Sequence, residues 1–215
     1  MDSDDTRTNL LNMAIVLFGR HGYDGVTTRR LAEAAAANVA SIKYHFGSKD
    51  ALYRGAIDHV VQTLQPRLDM LLDLVAQARE IARNDPERQA LLVSQLVEVA
   101  LNTFLRTPEI KPIVPFMLRE LFVPGPHFER LYQPLSRRLH ESLTELVAWV
   151  LQQDPRAPAT IIRAQALIGQ LVVYQIGRAI LQRRLGIDDY GDEEIELIRD
   201  QATQSVLMSL GLPHG

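Results

Sequence analysis

LLNMAIVLFGRHGYDGVTTRRLAEAAAANVASIKYHFGSKDALY, Leu10 to Tyr53, is the stretch whose reading decides the fold. Leu10, Leu11, Ala14, Ile15, Leu17 and Phe18 recur at three- and four-residue spacing, the period of a helix with one apolar face. Gly22 stops that helix, because glycine enters the left-handed conformation of a helix C-terminus at little steric cost. Thr27 offers a side-chain oxygen to the free amides of a second helix, Thr28 to about Ala35. Asn38 does the same for a third, Val39 to about His45. Ser48 caps a fourth, with Asp50 in its first turn, where a carboxylate suits the helix dipole. Three short helices thus precede a longer one, and the second and third are joined closely enough for a helix-turn-helix.

Outside this stretch, strand signals are nearly absent: there is no sustained alternation and no Asn-Gly turn. Prolines punctuate helical segments instead. Pro66 is expected to begin or kink a helix running to about Arg83, and Asn84-Asp85-Pro86 reads as a stop, a cap and a new start. That next helix should end at Arg106. Another, with Pro112 and Pro115 early in it, should end at Pro124-Gly125-Pro126. Pro134 is expected to open a helix to about Gln153, Thr160 one to Leu185, and Asp192 a last one to Leu210. The expected fold is all-α. Residues 1–48 would form a helix-turn-helix domain, and residues 49–215 a larger helical domain.

Charge is unevenly spread. Net charge is −3 over the chain, yet residues 6–49 carry +4, against −3 in the first five residues and −4 in the remainder. A locally basic head on an acidic body is what a phosphate-binding module attached to something else would show. The absence of cysteine excludes disulfides and thiolate chemistry and fits a reducing, cytoplasmic setting. The polar start MDSDDTRTN does not read as a signal peptide, and no apolar run approaches the roughly 18 residues of a membrane span. The six histidines show no metal-ligand spacing, and no nucleophile elbow, phosphate loop or paired-carboxylate signature appears. Neither enzyme activity, metal nor cofactor is therefore expected. A helical interaction module that has lost DNA binding is the rival reading, and the presence of Arg29, Arg30, Tyr44 and Lys49 argues against it.

The same stretch closely resembles the N-terminal domain of the TetR family of transcriptional regulators. The resemblance rests on Ala14 and Phe18, the Gly22-Tyr23 turn, Thr27-Thr28 before Leu31-Ala32, and Tyr44-His45-Phe46 followed by Ser48-Lys49 and Leu52. The Asn-capped third helix, the GSKDALY ending and the later MLRELFVPGPHFERLYQPL segment look most like the CecR (YbiH) branch. The resemblance implies a homodimeric DNA-binding regulator, repressor by default, released from a double-stranded operator by a small-molecule effector. Two positions depart from the family pattern. Ala36 stands where a turn glycine is usual, which costs roughly 1 kcal/mol if the position needs positive φ. Lys43 stands where an aromatic or polar residue is commoner.

Residue roles follow from chemistry. Arg29 and Arg30, just after Thr28 at the start of the second helix, suit phosphate, as does Lys49 at the start of the fourth. Tyr44 offers its hydroxyl to a phosphate, as the family tyrosine does, and His45 beside it belongs to the candidate set, chiefly as a packing residue. Base reading falls to Val39, Ala40, Ser41 and Lys43, of which Lys43 is the strong donor to guanine. Ile42 and Phe46 are expected in the core. The effector candidates are Phe104, Phe116, Met117, Glu120, Gln170 and Tyr174, large apolar groups with isolated polar ones on the later helices. Arg119-Glu120 reads either as a solvated pair or as a polar anchor at a pocket. The dimer seam is expected on Leu135, Leu139, Leu143, Leu146 and Val150 with Ile168, Leu171, Val172, Ile176 and Ile180.

Overall fold

The computed structural model describes residues 3–214; Met1 and Asp2 of the acidic start, and Gly215, lie outside the described residues. In chain order the first helices are α1 (Ser3–His21), α2 (Thr28–Ala34), α3 (Val39–Phe46), α4 (Lys49–Ile81), α5 (Pro86–Arg106) and α6 (Ile113–Phe122). There follow α7 (Phe128–Leu131), a π-helical segment Tyr132–Arg137, α8 (Arg138–Leu151), α9 (Pro158–Ile176), α10 (Arg178–Leu185) and α11 (Asp192–Leu210). No strand occurs among the described residues, in keeping with the all-α expectation.

Packing divides the chain into two compact units. One holds the described residues up to Asp69 with Pro108–Arg138; the other holds Met70–Thr107 with the chain from Leu139 onward. This grouping differs from the expected division after residue 48, because α6 packs on α1. Gly19 permits that approach: a Cβ there would lie 2.8 Å from the Phe116 backbone nitrogen. In this first unit Leu10, Ala14 and Phe18 of α1, Leu31 of α2, Ile42 of α3 and Leu52 of α4 are buried. The Phe18, Tyr53 and Phe116 rings meet edge-on, with centroids 4.8 and 5.6 Å apart, a favoured aromatic geometry.

In the second unit α5 lays Ala90, Val93, Val97, Leu101 and Leu105 along one face at helical spacing. They pack with Ala164 and Leu167 of α9 and with Ile198, Ala202 and Val206 of α11. A smaller cluster joins Val75 of α4, Leu92 of α5 and Leu146 of α8, with Leu143 and Trp149 against it.

Two breaks differ from the sequence expectation, and a third decides between its alternatives. Pro66 does not begin a helix: it lies inside α4, which continues from Lys49 to Ile81. Pro134 lies inside the π-helical segment instead of opening a helix. The expected helix from Thr160 to Leu185 is divided at Gly177 into α9 and α10. α9 is also long and apolar enough, by length and composition alone, to be a spanning candidate; it carries Arg163 and Gln165 and packs on α5 and α11.

Candidate nucleic-acid interface

All three expected caps of the N-terminal helices form. Thr27 Oγ1 accepts from the Arg30 amide at 3.2 Å, Asn38 Oδ1 from the Ala40 amide at 2.9 Å, and Ser48 Oγ from the Ala51 amide at 3.0 Å. Each cap fixes where its helix begins, and so which residues project. α3 buries Ile42 against the first unit and leaves Val39, Ala40, Lys43 and Tyr44 exposed and Ser41 partly so. Tyr44 is 80 % exposed, although it is a large aromatic residue. His45 is half-buried, its ring edge-on to Tyr44 at 4.9 Å. Phe46 is half-buried, with the Arg7 guanidinium 5.4 Å from its ring centre.

The basic candidates flank this helix. Arg29 and Arg30 are exposed on α2 and Thr28 half-buried. Arg29 pairs with Glu33 at 2.9 Å in open solvent, an interaction weak enough to exchange for phosphate. Arg30 Nη2 lies 2.9 Å from His21 Nε2. Lys49 Nζ stands 4.1 Å from the centre of the Tyr23 ring, which holds the ammonium beside the start of α4. The arrangement presents one exposed helix with a donor and small apolar groups, and cations at the ends of its neighbours. That can dock in a major groove with phosphates clamped on either side.

The six effector candidates divide between the units. Phe116, Met117 and Glu120 lie on α6 in the first; Phe104, Gln170 and Tyr174 lie in the second. Phe116 is fully buried against α1 and Tyr53, and Met117 is half-buried. The Gln170 amide is engaged by Ser205 and Ser209 of α11 at 3.2 and 3.3 Å. Tyr174 packs against the second unit's core, where burial raises its phenol pKa above the usual range. Phe104 is half-buried, and its carbonyl accepts from Gln175 Nε2 at 2.7 Å.

Glu120 is buried, not solvated, and its Oε1 accepts the Tyr53 hydroxyl. Burial first, then Glu120, pushes the Tyr53 phenol far above the ordinary tyrosine range, so it stays a donor. Around this pair a cleft of about 330 Å³ is lined by His21–Gly25, Asp50, Tyr53, Arg119, Glu120 and Val123–His127. Gly22 is favoured by its backbone, whose φ is +73°; a Cβ there would also lie 3.1 Å from Arg119 Nη1, close enough that the guanidinium would have to shift slightly. His127 Nε2 lies 2.7 Å from Asp50 Oδ1, and that hydrogen bond holds the Asp50 carboxyl below the usual carboxylate range. Sequence reading missed Tyr53, Asp50 and His127 as a group. Their partners lie 67 and 77 residues away, and no local spacing signals such a pairing.

The model for bacterial regulatory proteins of the tetR family matches residues 10–56, and that for the C-terminal domain of the HTH-type transcriptional dual regulator CecR matches residues 88–212. The HTH-type transcriptional dual regulator CecR of Shigella flexneri is 26 % identical over 207 residues, covering 93 % of this chain and 89 % of the relative. The HTH-type transcriptional regulatory protein RaaS of Mycobacterium tuberculosis is 27 % identical over 185 residues, covering 85 % and 77 %. Among solved structures, AibR in complex with isovaleryl coenzyme A and operator DNA aligns with a TM-score of 0.62 at 15 % identity, covering 97 % of this chain and 100 % of that one. HlyIIR, a hemolysin II transcriptional regulator, aligns with a TM-score of 0.59 at 17 % identity, covering 94 % and 99 %. At those identities the two structures establish the shared fold, whereas the matched models establish the family: this chain belongs to the TetR family of bacterial regulatory proteins and carries a CecR-type C-terminal domain.

Proposed function

We propose that the protein is a repressor in the cytoplasm, one that binds an operator as a homodimer and leaves it when a small-molecule effector binds. The observation that carries this is α3: a capped, exposed helix with Lys43 and Tyr44 in solvent and Arg29, Arg30 and Lys49 beside it. Relatives named repressors, among them NicS of Pseudomonas putida, support the direction of control. AibR, solved with both an acyl-coenzyme A and operator DNA, supports the pairing of ligand with DNA. The reading calls on no catalytic group. Thr28, Arg29, Arg30, Tyr44, His45 and Lys49 position the backbone, and Val39, Ala40, Ser41 and Lys43 face bases. Effector contact is assigned to the later helices bearing Phe104, Phe116, Met117, Glu120, Gln170 and Tyr174. Of these, Glu120 has an unmet hydrogen-bonding group, while Gln170 is already tied to α11.

Selection of bound duplexes from random DNA, followed by salt-dependent gel shifts, tests the reading. Lys43→Ala should change preference at one base position, by about 1–3 kcal/mol. Arg30→Ala and Lys49→Ala should weaken all duplexes alike and flatten the salt slope by about one unit each. If the ligand-free protein selects no duplex at low salt, the reading is wrong.

A further inference from the structure

The cleft around Glu120 belongs wholly to the first unit, and none of its lining residues is among those proposed above to contact DNA. Glu120 is 3 % exposed; its Oε1 accepts the Tyr53 hydroxyl, but its Oε2 is buried with no hydrogen-bond partner. A buried carboxylate oxygen left without a donor is costly, more so than a neutral group. The rest of the lining selects the donor that would satisfy it. Asp24, Asp50 and Glu120 line the cleft with one guanidinium, that of Arg119, whose Nε is 3.4 Å from the Gly19 carbonyl; outside the lining, Arg54 pairs with Asp50 at 3.5 Å, which leaves Asp24 and Glu120 as the carboxylates facing Arg119. His21 and His127 complete the titratable lining, and His127 is engaged by Asp50. The Tyr23 ring and Val123–Pro126 supply apolar wall, and Lys49 shows that an ammonium is accepted against Tyr23. The volume suits a ligand at the small end of ordinary binding sites.

We propose that this cleft binds a small organic cation, a primary amine whose ammonium donates to Glu120 Oε2 while its apolar body lies between Tyr23 and the 123–127 loop, and that its occupancy alters operator affinity. The second half rests on the DNA-binding reading above. An occupant touches Gly22–Gly25, which lead into the Thr27 cap of α2, and Asp50 in the first turn of α4. These segments precede and follow the recognition helix, so a ligand that binds differently in two arrangements of them shifts DNA affinity.

The test is calorimetric titration of the full chain with benzylamine and, as matched neutral and anionic bodies, benzyl alcohol and benzoate. Benzylamine should bind at least about tenfold more tightly than either. Glu120→Gln keeps an acceptor for Tyr53 but removes the charge, and should abolish that preference. Arg119→Met should tighten benzylamine binding by removing the opposing cation. Equal binding of the three compounds, no binding of benzylamine, or an undiminished preference in Glu120→Gln overturns the site. Should Glu120→Gln not fold, Arg119→Met decides: unchanged or weaker benzylamine binding overturns it. Operator affinity is then measured with and without benzylamine, and an unchanged value overturns the coupling alone. Because DNA binding is scored without amine and amine binding without DNA, failure of one reading is distinguishable from failure of the other.

Discussion

Ala36, in the turn between α2 and α3, has φ +50°, in the left-handed region. The family resemblance marks this position as one where glycine is usual, and the backbone shows why. A Cβ in that conformation costs about 1–2 kcal/mol, against the roughly 0.4–1 kcal/mol that alanine recovers by restricting the unfolded chain. Ala36→Gly should therefore stabilise the protein by about 0.5–1 kcal/mol, a rise of about 1–4 °C in Tm for a chain of this size. Scanning calorimetry of the two proteins reads it directly; a fall in Tm would show that the turn gains more from alanine than its dihedral loses. At this scale the sequence was most legible. The Thr27, Asn38 and Ser48 caps lie within three residues of the amides they satisfy, so spacing alone reveals them. Glu120 was legible only as a choice between solvent and a pocket, because its partner Tyr53 lies 67 residues away.

Whole helices were legible where a cap and a proline agree. Asp85 accepts from the Arg88 amide at 3.1 Å with Pro86 in the first turn, so α5 begins where expected. Proline without a cap leaves the reading open. Pro66 lacks a donor for the Gln62 carbonyl, but good helix formers on both sides carry α4 across the gap. Pro134 falls in the wider π turns, which absorb a residue that cannot donate. The helix resuming after it, α8, carries His140, whose imidazole pKa is lowered from the ordinary 6.5 by burial, partly opposed by a hydrogen bond with Gln165 of α9. A histidine with a depressed pKa binds its proton less readily folded than unfolded. Below about pH 6.5 the unfolded state takes up more protons, so stability falls as pH drops through that value and is regained above it. Thermal melts between about pH 7.5 and 5.5 should show a shallower loss for His140→Gln than for the wild type. Parallel curves for the two proteins would mean that His140 titrates as an exposed imidazole does.

For the molecule as a whole, the sequence named stripes but not what covers them. Leu135 and Leu146, expected at the dimer seam, are buried within the chain, and Val150 and Leu171 pack against the second unit's core. Amphipathic spacing says that a face is apolar, not whose surface meets it. One apolar face left uncovered among the described residues runs along α9 and α10 through Ile162, Val173, Ile176 and Ile180, with Ile162 68 % and Ile180 70 % exposed. Apolar side chains recurring on one helical face at such exposure mark an interaction surface, and a second copy presenting the same face would bury both at once. Dimerisation through it also answers the DNA problem, since one short recognition helix spans too few base pairs to be selective and two half-sites about one turn apart restore the length. The double variant Ile162→Glu/Ile180→Glu should sediment as a monomer at micromolar concentration where the wild type sediments as a dimer. Both positions lie outside the internal core, so its helical circular dichroism should be retained. Its operator affinity should fall by at least about a hundredfold, because each monomer must then bind a half-site alone. A wild type that sediments as a monomer, or a variant that stays dimeric and binds normally, would place the seam elsewhere or remove it.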